Sequence, residues 1–253
     1  MTKNKTYKEF AGVCGQTPLT KRFPNLESLS ELARLRFIVK RERAGKECWK
    51  AETARAKHRA DHDPLTGLPL THILENFYAH YQAEMRRAHF KGETIKGGVI
   101  CFLDGDGFGQ VNKIFDTETG DTVIRALGDS AKRHIRATDS VFRRGKGADE
   151  FILYIPDVSQ DEAHDLIFGK NGILERINRD TFIPVKHPVD NSDTVLQIQV
   201  SMGYAHFGLG DKLDDVLNQA DKHMQRQKKA KKAVREMDGH GPLHLILPTP
   251  AVA

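Results

Sequence analysis

Two short acidic stretches carry the residues best suited to chemistry. In the first, the apolar run Val99-Ile100-Cys101-Phe102-Leu103 ends in Asp104-Gly105-Asp106-Gly107-Phe108-Gly109. Consecutive apolar residues broken by glycines read as a strand buried on both faces, so the chain delivers carboxylates to the end of a core strand. Buried charge without a partner is costly, and a divalent cation is one of the few partners that repays two carboxylates together. The second stretch, Arg143-Arg144-Gly145-Lys146-Gly147-Ala148-Asp149-Glu150-Phe151-Ile152-Leu153-Tyr154-Ile155, reads as strand, glycine-containing turn and strand, with Asp149 and Glu150 where the second strand begins. Either stretch alone is also what a polar turn with an ordinary aspartate looks like. Together they are two acidic strand ends able to share one metal. Mg²⁺ is usually held by one or two protein carboxylates plus substrate phosphates, which points to a nucleoside triphosphate site.

Those residues need elements to position them. Around the central strand the spacing predicts helices over about 71–88 and 119–136, and strands over 140–143 and 150–155. Further on it predicts a helix over 160–179, a strand over 196–205 and a basic helix over 213–235. Helices alternating with an antiparallel acidic hairpin indicate an α/β (α+β) sandwich around a mostly antiparallel sheet. Upstream, residues 1–25 read as a flexible basic tail and 26–62 as a helix, with Asn25 as its cap and Leu29, Leu32, Leu35 and Val39 forming one apolar stripe. A helix so long and so thinly apolar cannot stand alone, so it either lies on the domain that follows or pairs with its own copy in a dimer. Residues 237–253, rich in proline and glycine, read as a tail.

Charge is unevenly distributed along the 253 residues. Residues 1–62 hold 15 Lys and Arg against 7 Asp and Glu, whereas 63–253 hold 24 against 27. A basic arm suits nucleic acid, an acidic membrane surface or an acidic partner, and equally a plain solvated helix face. The plain solvated helix face is the expected reading, and nucleic acid is not an expected partner. No apolar run is long enough to span a bilayer and the N-terminal segment lacks the apolar core of a signal peptide, so a cytoplasmic protein is expected. Three widely spaced cysteines suggest neither a disulfide framework nor a zinc site.

The chain resembles the GGDEF domain, the catalytic domain of diguanylate cyclases. The resemblance runs through Asp63-Pro64-Leu65-Thr66-Gly67-Leu68, Leu103-Asp104-Gly105-Asp106-Gly107-Phe108, Asn112, Gly120-Asp121, Gly147-Ala148-Asp149-Glu150-Phe151, Ser201-Met202-Gly203-Tyr204 and Ala220-Asp221. It implies a GGDEF domain over 63–236 with the palm layout of nucleotide cyclases. By this resemblance Asp104, the Gly105 carbonyl, Asp149 and Glu150 would hold Mg²⁺, or Mn²⁺ in its place, with Asp149 and Glu150 serving catalysis. Asn112 and Asp121 would read guanine, and Gly107, Phe108, Lys228 and Lys232 would contact phosphates. Arg136 and Asp139 fit the family's RxxD inhibitory product site. The implied activity is condensation of two GTP into cyclic di-GMP by a homodimer. The alternative is a catalytically impaired domain that binds GTP or cyclic di-GMP. Departures from the family pattern are Ala148 for the second turn glycine, the extra Gly145-Lys146, Gly109 for a lysine, and Leu70-Thr71 for the usual Asn-Arg.

Overall fold

The computed structural model describes the backbone of residues 31–145, 149–238 and 243–246, and the side chains of 39, 40, 42–145 and 149–237. The expected basic tail, the Asn25 cap, Leu29, the side chains of Leu32 and Leu35, and the turn residues Lys146, Gly147 and Ala148 lie outside these. The chain divides into two units, Met1–Ala60 and Asp61–Ala253. The first carries helix α1 (Glu31–Asp61). Most of its described side chains are exposed, Val39 and Trp49 included. Cys101 in the second unit is a free, buried thiol. No described helix is long and apolar enough to cross a membrane.

The second unit is built on β1 (Gly98–Gly105), buried along its whole length. With β2 (Ser140–Arg143), β3 (Glu150–Pro156) and β6 (Val200–Phe207) it forms an antiparallel sheet in the order β2-β3-β1-β6. Side chains alternate across a strand, and here the alternation separates two cores. Val99, Cys101 and Leu103 join Phe151, Leu153 and Ile155 against α4 (Thr117–Arg133), α5 (Gln160–Phe168) and α6 (Ile173–Asp180). Ile100 and Phe102 join Ile152 and Tyr154 against α2 (Leu74–Phe90) and α7 (Leu213–Asp238). Asp104 shares the parity of Phe102, so it emerges on the α7 side.

Local chemistry fixes the helix starts. Asp116 caps α4 through Thr119 N–H at 2.7 Å. Ser159 and Glu162 form a reciprocal capping box on α5. Gly203 lets α7 lie directly on β6, because a Cβ there would collide with the Met224 backbone nitrogen. On the free edge of β6, His223 Nδ1 lies 3.0 Å from Tyr204 O and 3.3 Å from Tyr204 N, where a neighbouring strand would pair. Lys231 Nζ donates to Val200 O further along the same edge.

Several expected elements are resolved more finely. The helix expected over 160–179 is two helices, interrupted around Gly169 and Gly172. The strand expected over 196–205 divides at Gln199 into β5 (Asp193–Ile198) and β6. β4 (Phe182–Lys186) was not anticipated. The segment read as a C-terminal tail contributes β7 (Leu243–Ile246), which completes a second sheet in the order β4-β5-β7. Pro184 and the glycine- and proline-rich flanks of β7 mask the strand pattern in sequence.

Candidate active site

Asp104 is the last side chain of β1 before the glycines, 4 % exposed, and stands opposite Glu150 of β3 in the antiparallel register. Directly opposed residues share a sheet face and like charges there repel. Cations from α7 and from the hairpin answer that repulsion. Lys228 Nζ donates to Asp104 Oδ1 at 2.5 Å, and Arg144 Nη1 donates to Glu150 at 3.0 Å. Asp149 completes the group, its main-chain oxygen accepting from Gly105 N–H at 3.4 Å and its carboxylate lying against the Cα of Gly105.

Electrostatics mark the same place. Burial pushes the Asp104 carboxyl up; Lys228 opposes this, and Glu150 and Asp106 add to it. Asp149 is pushed up to about 6, by burial first and then by the charge of Asp104. For Lys228, burial works against the charged form, but the Asp104 bond and the surrounding carboxylates outweigh it and raise its pKa. Two desolvated carboxylates that repel one another, with an ammonium drawn onto one of them, make a site that gains from a bound cation. Among the described residues no three His, Cys, Asp or Glu side chains form a ready cage. An oxygen-donor pair of this kind fits Mg²⁺, which keeps waters and substrate phosphates in its shell.

The other predicted residues fall into two groups. Asn112 lies on α3 (Phe108–Ile114), exposed, with its Oδ1 against Gly120 of α4, where a Cβ would overlap it. Asp121 follows as an interior residue of α4. The cap of that helix is Asp116, five residues earlier. Gly107 enters α3 at φ +81°, a left-handed conformation that favours glycine, and Phe108 reaches the same Gly120. Asn112, Gly120, Asp121, Gly107 and Phe108 thus line one corner. Lys232 does not converge with Lys228: its side chain is 77 % exposed and lies 3.7 Å from Glu236. Arg136 and Asp139 line a separate cavity of about 370 Å³ with Leu68, Ile135 and Val141. There Asp139 accepts from the Arg136 backbone N–H at 2.8 Å, and burial raises its pKa.

Sequence reasoning left three working residues unassigned. Asp106, 2 % exposed, accepts from Ser201 Oγ at 2.6 Å and Arg235 at 2.9 Å, with Lys231 at 3.4 Å. It anchors α7 to the sheet end through cations of its own, while its charge still reaches Asp104. The signal for it was the basic i,i+4 pair Lys231 and Arg235 on the last helix. Arg143 turns to the buried Asp63, and Arg144, the next residue, turns to Glu150. An Arg-Arg pair at a strand end holds both partners by alternation, but nothing in sequence names them.

Comparison with known proteins identifies the family. The family model described as "Diguanylate cyclase, GGDEF domain" matches residues 60–233. Among curated proteins, diguanylate cyclase DgcP of Pseudomonas aeruginosa is 26% identical over 174 residues, covering 69% of this chain and 23% of DgcP. YhcK of Bacillus subtilis is 32% identical over 152 residues, covering 60% of this chain and 38% of YhcK. The chain therefore spans well under half the length of these relatives. Among solved structures, the coiled coil and GGDEF domain of Caulobacter crescentus DgcB in complex with c-di-GMP superposes with TM-score 0.63 at 21% identity, covering 78% of this chain and 95% of that one. Diguanylate cyclase SiaD of Pseudomonas aeruginosa, in complex with its activator SiaC, gives TM-score 0.56 at 22% identity, covering 84% and 73%. The acidic strand end, the hairpin facing it and most of the basic helix across them lie within the matched residues, and the chain belongs to the GGDEF family.

Proposed function

We propose that the protein is a diguanylate cyclase that condenses two GTP molecules into cyclic di-GMP. The observation that carries this reading is the convergence of Asp104, Asp149 and Glu150 at the end of β1, with the first two carboxyls desolvated and raised in pKa. Asp104, the Gly105 carbonyl and Asp149 would hold Mg²⁺ or Mn²⁺, with Glu150 beside them, and the metal would supply charge neutralisation on the α-phosphate and leaving pyrophosphate. Asn112 and Asp121 would take the guanine edge, since a carboxylate accepts from N1–H and the exocyclic amine while an amide complements the rest. Gly107 and Phe108 would border the phosphates. Lys228 would exchange its bond to Asp104 for phosphate oxygens, and Lys232, free to swing from its exposed position, would join it.

Glu150 would take the proton from a ribose 3′-hydroxyl as that oxygen bonds to the α-phosphorus of the facing GTP. The α–β bridging P–O bond breaks and pyrophosphate leaves with the electron pair. One domain holds one nucleotide, so the reaction requires two protomers. The exposed α1 suits pairing with its copy, and the similar DgcB structure comprises a coiled coil with its GGDEF domain. Product binding at Arg136 and Asp139 would give feedback inhibition, as the 370 Å³ cavity there allows. A GTP-consuming enzyme of this kind works in the cytoplasm.

The test is incubation of the purified protein with GTP and Mg²⁺, with products resolved by mass. Cyclic di-GMP is expected, and Glu150→Gln is expected to abolish it while GTP still binds. GTP binding without product from the wild-type chain would replace the enzyme by a binding module. Truncation to residue 60 onward should lower specific activity at nanomolar protein and restore it as concentration rises.

A further inference from the structure

The surroundings of Arg144 are more elaborate than an outward-facing hairpin residue needs. Its backbone N–H donates to Glu150 O at 3.1 Å, so the two residues face one another across the hairpin. Its guanidinium donates to the Glu150 carboxylate at 3.0 Å and stands 3.6 Å from Asp221 of α7. The same group lies over the ring of Phe102, 4.9 Å from the centroid. Phe102 is buried in β1, two residues before Asp104 and on the same face. The arginine is thus tied by main chain, ring and two carboxylates from three elements. A planar guanidinium can satisfy all of these together, and an ammonium cannot.

We infer that Arg144 is a positioning residue for the reaction: it bridges Asp221 to Glu150 across Phe102 and fixes the Glu150 carboxylate at the edge of the metal pair. This rests on the cyclase reading of Glu150. Glu150 sits opposite Asp104 and beside Asp149, so without a cation of its own it would swing away from both. Lys228 is engaged by Asp104, which leaves Arg144 as the cation in contact with Glu150 among the described residues. A partly exposed ion pair contributes little to stability. Its consequence is therefore expected in catalysis and not in folding.

The experiment compares wild type, Arg144→Ala, Arg144→Lys, Asp221→Asn and the Arg144→Ala/Asp221→Asn double variant. With GTP and Mg²⁺, Arg144→Ala should lose at least tenfold in kcat while KM for GTP and the thermal midpoint stay close to wild type. Arg144→Lys should recover part of the loss. Asp221→Asn should cost less than Arg144→Ala, and the double variant should be no worse than Arg144→Ala, because Asp221 acts through Arg144. Unchanged kcat, a rise in KM alone, or fully multiplicative losses would each overturn the inference. A second readout does not need turnover: the Glu150 carboxyl ¹³C resonance, assigned with Glu150→Gln, should move and broaden in Arg144→Ala. An unmoved resonance overturns the positioning role even where the wild-type chain makes no product, whereas that absence of product by itself counts against the cyclase reading alone.

Discussion

Removing the carboxylate of Asp63 should unfold the domain's entrance, and the geometry sets the size of the effect. Asp63 Oδ2 accepts from Leu65 N–H at 3.1 Å, from Thr66 N–H and Oγ1 at 2.8 Å each, and from Arg143 Nη1 at 2.5 Å. Both charged side chains are 2 % exposed. Asp63→Ala leaves a buried guanidinium without its carboxylate, which costs about 3–5 kcal/mol. For a domain of this size each kcal/mol moves the midpoint by about 2–4 °C, so the expected drop is about 6–20 °C. Asp63→Asn keeps the shape and one acceptor oxygen and should cost about half as much, near the value of a hydrogen bond to a charged group, about 1.5–3 kcal/mol. Asp63→Leu with Arg143→Met removes both charges and should recover much of the Asp63→Ala loss. Burial alone would raise the Asp63 pKa, but the Thr66 bonds and Arg143 outweigh it and lower it. A depressed carboxyl adds stability above its ordinary range and loses it as pH falls through the folded value. The acid limb of the wild-type stability curve should therefore be steeper than that of Asp63→Ala. Urea unfolding at pH 7 measures the difference, and a loss under about 1 kcal/mol for Asp63→Ala would refute the assignment of this pair as the clamp.

Three further outcomes follow from the geometry. Gly203→Ala should lower stability by about 1–3 kcal/mol or more by forcing α7 off β6, and it should also weaken GTP binding because Lys228 moves with the helix; chemical unfolding and nucleotide titration measure the two effects. Gly107→Ala should cost about 1–2 kcal/mol because its φ is +81°, read as a shift in the urea midpoint with no change in slope. Asp149 is raised to about 6, so its folded form binds protons that the unfolded chain has released, and stability falls as pH rises from about 4 to 6. Asp149→Asn should accordingly melt higher than wild type at pH 7.5 without metal, match it near pH 4, and bind Mn²⁺ far more weakly; wild-type Mn²⁺ affinity should decline below about pH 6.

What could be read in the sequence follows from how local each signal is. The buried strand ending in Asp104, the acidic hairpin start and the basic last helix are each announced within a few residues, by an apolar run, a glycine break or a charge cluster. β4 was hidden because Pro184 sits inside a short, half-exposed strand, and β7 because its partner β5 lies some fifty positions earlier. The separation of Asp104 from Asp106 was invisible for a similar reason. Both look alike in Asp-Gly-Asp, and only the approach of α7 gives the first to Lys228 and the second to Lys231 and Arg235. Arg144 is the plainest case, since its partners Glu150, Asp221 and Phe102 come from three elements that only the fold brings together.

The outer margin of β6 has a consequence for how two such chains can meet. An open strand edge is a template on which another chain can extend the sheet, by a ladder indifferent to sequence. Here the His223 imidazole nitrogen takes one of the two main-chain groups of Tyr204 and stands against the other, and an ammonium takes the carbonyl of Val200, both delivered from the same helix. A second copy approaching this margin finds the positions at Val200 and Tyr204 engaged and a helix in its path. Sheet extension is thereby opposed at this edge of the four-stranded sheet. For the proposed chemistry, in which two nucleotides would be brought face to face and the product then let go, an edge that resists permanent sheet pairing favours contact that can be undone.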